Sequence, residues 1–345
     1  MIRGVAAAVV LLGIAVVVVL VADAELDRPI EVAGEDRIFQ IERGASLNAV
    51  VSRLARENII DTHPIIVRIW AMITASRGSI QAGEYRLLPD MTTTDVFVLF
   101  RSGKVVQHQI TFVEGWTFDQ WRTHFQAHEA LQHTLDEVSD AGIMKMLGEA
   151  DLSPEGQFFP DTYHFTRGES DISVLQRAHK RMKQVLDDEW RQRAVGSVLN
   201  SPYEALILAS IVEKETGYEP DRKKIARVFI NRLERNIKLQ SDPTVIYALG
   251  DDFDGDLKRS HLKLDSPYNT YSYRGLPPTP ISNPGLASLQ ATMQPSPGDW
   301  LYFVGRGDGT SHFSSTLEEH NDAVTRFHKT GRVENYRSVP EVTDD

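Results

Sequence analysis

The sequence predicts an α+β protein in three parts: a single N-terminal transmembrane helix, a small α+β module, and a larger domain of helices and long loops. Three observations carry that expectation. Residues Val5 to Ala22 contain no charged or strongly polar group. Short alternating segments and helical segments take turns between residues 35 and 110. Long helical patterns beyond Asp151 then give way to Pro-, Gly-, Asn- and Tyr-rich sequence from Gln240 to Gly309, and loops of such length are usually functional. The expected division is residues 1–24 as cytoplasmic N-terminus and anchor, 25–34 as linker, 35–110 as the small module, 111–335 as the large domain and 336–345 as an acidic tail.

The apolar run comes first. As a helix, its length of roughly 27 Å approaches the ~30 Å hydrocarbon core of a bilayer. Arg3 and the α-amino group precede it, whereas Asp23, Glu25 and Asp27 follow. The positive-inside tendency then places the N-terminus in the cytoplasm and the rest of the chain outside. Ala22-Asp23-Ala24 has the form of a signal-peptide cleavage site. An h-region normally runs about 7–15 residues, shorter than this run, so a retained single-pass anchor in the cell (inner) membrane is expected.

In the module, "RIFQIERGAS" alternates like a strand. Ser46 can cap a helix through Glu57, with Leu47, Val50, Val51 and Leu54 at helical spacing. A second helix follows Pro64, "GSIQAGEYRLLPDM" reads as a strand with a Pro-Asp turn, and "TTTDVFVLFRSG" as a helix closed by Gly103. "VVQHQITFVEGWT" supplies more strand before a mostly helical stretch from Phe118 to Gly148. "SPEGQFFPDTYHF" is a Gly/Pro/aromatic loop. Helical patterns cover Ile172–Val195, Tyr203–Thr216 and Asp221–Asn236, and "WLYFVG" reads as a buried strand.

Composition excludes several functions. A net charge of −11 and the lack of a basic block argue against nucleic acid as a partner. With no cysteine there is no disulfide, thiolate metal site, cysteine nucleophile or lipid-anchored cysteine. "HFQAHEALQH" holds His124, His128, Glu129 and His133, but His128 and His133 stand five apart, not the four of a zinc-protease helix. No phosphate-binding Gly-rich loop and no G-x-S-x-G elbow occur, so no cofactor and no metal are expected.

The chemistry concentrates in "EALILASIVEKETG", Glu204 to Gly217. Ala205 to Val212 are all apolar or small, which puts the helix in a core. Glu213-Lys214-Glu215 then ends it. Residues two apart on a helix point about 200° from each other, so the two carboxyls serve different stripes. One is expected to meet solvent or to pair with Lys214 or the Arg222-Lys223-Lys224 run. Ala209 and Ser210 beside Glu213 leave room for a ligand. A carboxyl near the C-terminal end of a buried helix is disfavoured as an anion by desolvation and by the helix dipole, which suits a general acid. The same pattern also fits an exposed last turn with ordinary charge pairs.

Longer motifs are specific. "LASIVEKETGYEPDRKKIARVFINRLERNIKLQSDPTVIYALG" and "SPYNTYSYRGLPPTPISNPGLASLQATMQPSPGDWLYFVGRGDGTSHFSSTLEEHN", with "EGQFFPDTY" at Glu155–Tyr163, resemble the endolytic murein transglycosylases, the MltG or YceG-like family. The resemblance covers nearly the whole chain. It implies a membrane-anchored lyase that cuts the MurNAc–GlcNAc bond within peptidoglycan strands and leaves 1,6-anhydro-muramoyl ends. The family's essential glutamate falls on Glu213, and residues 35–110 resemble a LysM module.

A hydrolase usually needs two carboxyls, the second to activate water or attack the sugar. A lytic transglycosylase can work with one, because the sugar's 6-hydroxyl is the nucleophile. A glycan cleft needs amides, carboxylates and aromatics together, and Gln240, Asp242, Thr244, Tyr268, Asn269 and Tyr271 fit that description, with Glu155 and His312 as further candidates. Asp242-Pro243 and Asn283-Pro284 are equally turn formers, and buried tyrosines commonly pack. Peptidoglycan synthases are candidate partners. Two other classes stay open: a glycan-binding scaffold in which Glu213 is structural, and a muramidase pairing Glu213 with Asp242 or Glu155.

Overall fold

The computed structural model describes residues 21–32, 34–74 and 79–330. The chain divides into two units. The first ends at His108 and takes in His164–Glu169, and the second comprises Gln109–Tyr163 and the chain from Ser170 onward.

The first unit follows the order strand, helix, helix, strand, helix: β1 (Arg37–Ile41), α1 (Leu47–Arg56), α2 (Pro64–Ile73), β2 (Gly83–Leu87) and α3 (Thr93–Ser102). β1 and β2 pair antiparallel, with Arg37 opposite Leu87 and Ile41 opposite Gly83. Ser46 caps α1 by accepting from the Ala49 N–H, and Val50, Val51 and Leu54 face inward. Thr92 and Asp95 form a reciprocal capping box on α3, which satisfies two otherwise orphaned donors. Gly103 ends α3 at φ +68°, a left-handed conformation open to glycine. In the core, the Phe100 ring lies 5.6 Å from Phe39 and 4.8 Å from Tyr85. The buried Glu84 receives His108 Nε2 at 2.5 Å and Arg167 Nε. Burial opposes its charge, yet those hydrogen bonds hold its pKa below the usual carboxylate value.

The second unit is mainly helical. β3 (His108–Thr111) pairs with β4 (Thr162–Phe165), and Gln109–Thr111 and Thr162–Tyr163 of these strands belong to this unit. Between these strands lie α4 (Phe118–Gln126) and α5 (Asp140–Met146). After β4 come α6 (Asp171–Arg191), α7 (Pro202–Glu215), α8 (Glu219–Glu234), α9 (Asp242–Leu249) and α10 (Leu286–Met293). β5 (Tyr302–Gly305) and β6 (Ser311–Ser314) form an antiparallel hairpin, and α11 (Leu317–Val324) follows. Helix α7 is the centre of this unit. Ser201 caps it, Pro202 occupies its first turn, and every residue from Ala205 to Val212 is buried. It packs against α8, α10 and α6. The sealed helix predicted from its unbroken apolar run is what the chain forms.

Other elements depart from the expectations. The stretch read as mostly helical from Phe118 to Gly148 breaks into α4 and α5, because Ala127 closes the first and Ser139 caps the second. Asp242-Pro243, read also as a turn, opens α9 instead. Proline is at ease in a first helical turn, where its missing N–H has no partner to lose.

The expected fold class needs correction. Among the described residues no helix is long and apolar enough to cross a membrane. The fold they form is mixed α/β without the anticipated transmembrane element. Residues 21–26 are helical, but they carry Asp23 and Glu25 and bury Leu26 completely in the first unit's core. The remainder of the proposed span from Val5, the signal-peptide alternative and the acidic tail 336–345 lie outside the described residues.

Because α7 is enclosed on all sides, a cavity within it should be costly. Leu208 is fully buried among the residues packed between α7, α8 and α10. Leu208→Ala is expected to destabilise the second unit by about 2–5 kcal/mol, measured as a shift in its urea midpoint with the slope unchanged.

Candidate active site

Glu213 and Glu215 leave the end of α7 in different directions, as helical geometry requires. Both remain covered. The Glu213 side chain is only 6% exposed. Its Oε2 accepts the Gly285 N–H at 2.9 Å, and its Oε1 receives Arg222 Nη2 at 3.4 Å. Arg222 is supplied by the first turn of α8, and Gly285 is the residue before α10. The expectation that one of the pair meets the Arg222-Lys223-Lys224 run is met by Glu213. An ordinary exposed last turn is not what the chain builds.

Glu215 turns the other way. Its Oε1 accepts the Ser241 hydroxyl at 2.5 Å. Burial pushes its pKa up to about 7, the neighbouring Asp242 charge adds to that, and Arg232 opposes it. Ser241 precedes α9, and its N–H donates to Thr270 Oγ1 at 3.0 Å. Glu215 therefore ties the end of α7 to the start of α9.

The predicted site residues fall into groups. Asp242 and Tyr271 meet through the tyrosine hydroxyl at 2.5 Å, with Asp242 exposed and Tyr271 half-buried. Gln240 is exposed, holds φ +51°, and its Oε1 receives Arg232 Nη1 at 3.3 Å. Thr244 is buried and bonds Ser241 O and Thr270 Oγ1. Asn269, fully buried, donates to the carbonyls of Leu262 and Leu264 and accepts the Tyr271 N–H. Both of these side chains serve the loop that carries Tyr268 and Tyr271. Tyr268 is half-buried, its ring 5.0 Å from Tyr247 and its hydroxyl 2.8 Å from Thr279 Oγ1.

Glu155 is buried, accepts the Phe118 N–H at 3.1 Å and the Tyr247 hydroxyl at 3.2 Å, and is pushed by burial up to about 8. His312 lies on β6 with its ring 5.7 Å from that of Phe327, and it is not among the groups that meet the Glu213 carboxyl. The decoy histidine His124 packs edge-on against Phe112 and Trp116.

One segment at Glu213 was not singled out in the sequence. Glu114-Gly115-Trp116 lies between β3 and α4. Gly115 approaches the Glu213 side chain so closely that a β-carbon there would stand 3.5 Å from Cγ. Lys214 Nζ donates to Gly115 O at 3.2 Å. Asn283 fixes the segment from the other side: its carbonyl accepts the Gly115 N–H at 2.8 Å, and its N–H donates to Trp116 O at 2.8 Å. Its side chain also donates to Trp116 O and accepts the Phe158 N–H. The carboxyl of Glu114 lies against the Cα of Gly285, where a β-carbon would collide with it. Partial burial raises the pKa of Glu114, the Glu213 charge raises it further, and Arg222 opposes both. A lone Glu-Gly in a strand-to-helix connection carries no spacing signal, so only the tertiary contact reveals it.

These contacts define a class of protein: a packed helical domain whose polar centre is assembled from carboxyls, hydroxyls and tyrosines on loops. Comparison gives the particular family. The model of the YceG-like family matches residues 39–326, and the chain belongs to that family. It is 30% identical over 306 residues to the endolytic murein transglycosylase of Bacillus subtilis strain 168, covering 84% of each chain. The endolytic murein transglycosylase of Streptococcus pneumoniae strain D39 is 27% identical over 317 residues, and the match spans 82% of this chain but 57% of that one. A crystal structure of a yceG-like protein from Listeria monocytogenes superposes with a TM-score of 0.54 at 31% identity, covering 84% of this chain and 99% of the other.

The buried carboxyls have a consequence for stability. In the folded chain Glu215 titrates near 7, above its ordinary 4.5. Between those values the native state holds more protons than the unfolded chain, so this contribution falls as pH rises through the window. Glu215→Gln keeps an acceptor for Ser241 and removes the titration. The loss of stability between about pH 5 and about pH 8 is therefore expected to shrink, on the order of 1–3 kcal/mol, measured from urea midpoints at the two pH values.

Proposed function

We propose that this protein is an endolytic murein transglycosylase, which cleaves the MurNAc–GlcNAc bond inside peptidoglycan strands and closes a 1,6-anhydro ring on the muramoyl end. The observation that carries this reading is Glu213. It is a carboxyl at the end of a sealed helix, held by a backbone N–H and an arginine, in a chain of the YceG-like family. Relatives bearing that enzyme's name align with 84% and 82% of the chain.

In this reading Glu213 protonates the glycosidic oxygen as the C1–O bond breaks. The carboxylate then takes the proton from the 6-hydroxyl as its oxygen bonds to C1. Intramolecular attack has a large effective molarity, so no activated water is required. Gln240, Asp242 and Tyr271, which retain exposure beside the Glu215-anchored loop, are the strongest candidates for sugar contacts, with Tyr268 offering a ring edge. Thr244 and Asn269 act through that loop. Action on the wall places the protein outside the cytoplasm, where peptidoglycan synthases are the natural partners.

The first unit supports a second element of the proposal. Its strand–helix–helix–strand order with paired terminal strands suits a LysM-like glycan-binding module. Removing residues 35–105 should weaken binding to long strands more than it lowers turnover of short soluble fragments. Equal loss on both would assign that unit to support of the fold.

The decisive experiment uses purified protein on intact sacculi, with products weighed by mass spectrometry. Anhydro ends lack the added water of hydrolysis, and a non-catalytic scaffold releases nothing. Glu213→Gln retains an acceptor for Gly285 but cannot cycle a proton, so the rate should fall by ~10²–10⁴-fold or more while glycan binding persists. Anhydro products at a wild-type rate from this variant would refute the role of Glu213.

A further inference from the structure

The site holds a second carboxyl that the transglycosylase scheme leaves without a task. Glu114 and Glu213 come from distant parts of the chain, yet both meet Gly285. The Gly285 N–H donates to Glu213 Oε2 at 2.9 Å. The space a β-carbon of Gly285 would fill is occupied by the Glu114 carboxyl, whose three outer atoms are the nearest neighbours of that position. Gly285 has φ −79°, a conformation open to any residue, so the backbone does not demand glycine there. The approach of Glu114 does.

The placement of Glu114 is also built. Gly115 and Trp116 beside it are pinned by four hydrogen bonds from the backbone and side chain of Asn283 and from Lys214. Phe118 is pinned by the buried Glu155. Part of Glu114 nevertheless remains exposed to solvent, where a ligand can reach it.

We propose that Glu114 is a second catalytic carboxyl of this site, sharing one proton with Glu213, and that the pair rather than Glu213 alone performs the acid–base cycle. The inference rests on the transglycosylase reading. Two carboxyls meeting one residue repel each other when both are ionised, so the pair retains a proton that either alone would release. Among the described residues, Arg222 from α8 reaches Glu213, Lys214 from α7 donates to the adjacent Gly115 carbonyl, and the stretch Asn283–Leu286 adds no titratable side chain. Arg222 donates to Glu213 Oε1 at 3.4 Å, and partial burial together with the neighbouring Glu213 raises the pKa of Glu114.

The cycle balances without water. The pair's proton goes to the glycosidic oxygen, and the electrons of the C1–O bond leave with the GlcNAc hydroxyl. The 6-oxygen bonds to C1, and its proton returns to the pair. While both carboxyls are ionised, their charge also faces the positive character that develops at C1.

Three variants and one titration test this. Glu114→Gln removes the repulsion, so the remaining carboxyl loses its proton earlier and the alkaline limb of the kcat profile should move down by about one pH unit. The rate should fall at least tenfold near neutral pH and less under acid conditions. The nearest atoms that Gly285→Ala meets are the flexible end of Glu114, so it should fold and displace that carboxyl, with a similar loss. In the double variant the two losses should not add, because the second acts through the first.

An unmoved alkaline limb with wild-type kcat in Glu114→Gln would overturn the proposal, as would a Gly285→Ala loss of the same size with or without Glu114. Carbon-13 titration of glutamate-labelled protein gives a readout independent of turnover. Glu114 and Glu213 should each titrate in two steps, collapsing to one when the other is glutamine. Single independent steps would overturn the pair. If the wild type makes hydrolysed products or none, the transglycosylase reading fails, and the carbon-13 titration still decides whether the carboxyls share a proton.

Discussion

Helix α7 is buried along eight successive residues, so the carboxyls at its end emerge into protein and must find their donors there. An ionised carboxyl left bare in such surroundings costs far more than a helix end can supply. Separate segments meet this demand. Arg222 and the Gly285 N–H reach Glu213, and the Ser241 hydroxyl reaches Glu215. The arrangement of the long loops follows from it, since the stretches around 283–285 and 240–242 are drawn to one helix end. Asn283 then recruits Gly115 and Trp116, which brings a third carboxyl to the same place.

The two carboxyls of α7 divide the work because a helix points them apart. Glu213 faces the segment where Glu114, Gly285 and Arg222 converge. Glu215 sits on the opposite stripe and holds the first turn of α9, which presents Asp242 and, through it, Tyr271. Charge on Glu215 would be poorly tolerated, and its elevated pKa expresses that. Glu155 does similar work beneath α4, where a carboxyl with a pKa near 8 caps the Phe118 N–H and receives Tyr247. Burial thus pushes the carboxyls that position the site toward their neutral form, whereas Glu213 is the carboxyl given an arginine.

Much of this was legible in the sequence where local rules govern. The uninterrupted run Ala205–Val212 announced a sealed helix, and Ser46, Thr92 and Gly103 announced the ends of helices in the first unit. Glu213 could be named because the motif around it is long, whereas the Arg222-Lys223-Lys224 run was one of several possible partners for either carboxyl of α7. What stayed hidden depends on contacts across the chain. Glu114 is separated from Glu213 by 99 positions and from Gly285 by 171, and no periodicity links them. Which of Glu213 and Glu215 would meet solvent or a basic partner stayed open, because the cover of Glu215 comes from a loop. Pro243 read as a turn because the same residue opens helices and turns with one φ value. The apolar N-terminal run led to a transmembrane fold class that no described helix supports.

The geometry also weighs on which chemistry the carboxyls can perform. A glycosidase that uses water or a covalent intermediate sets its two carboxyls on either side of the scissile bond, roughly 5–9.5 Å apart. Both acidic residues considered for that second role are already engaged by other groups. Glu155 is buried and held near neutrality in the folded chain, with Phe118 and Tyr247 already bound to it. Asp242 receives the Tyr271 hydroxyl at 2.5 Å and sits beside the Glu215 stripe, which points away from Glu213. Glu114, by contrast, converges with Glu213 on one glycine. Two acids gathered on one residue can pass a proton out and take one back at nearly the same point. That geometry suits a nucleophile carried by the sugar itself, whose hydroxyl lies close to the bond being broken.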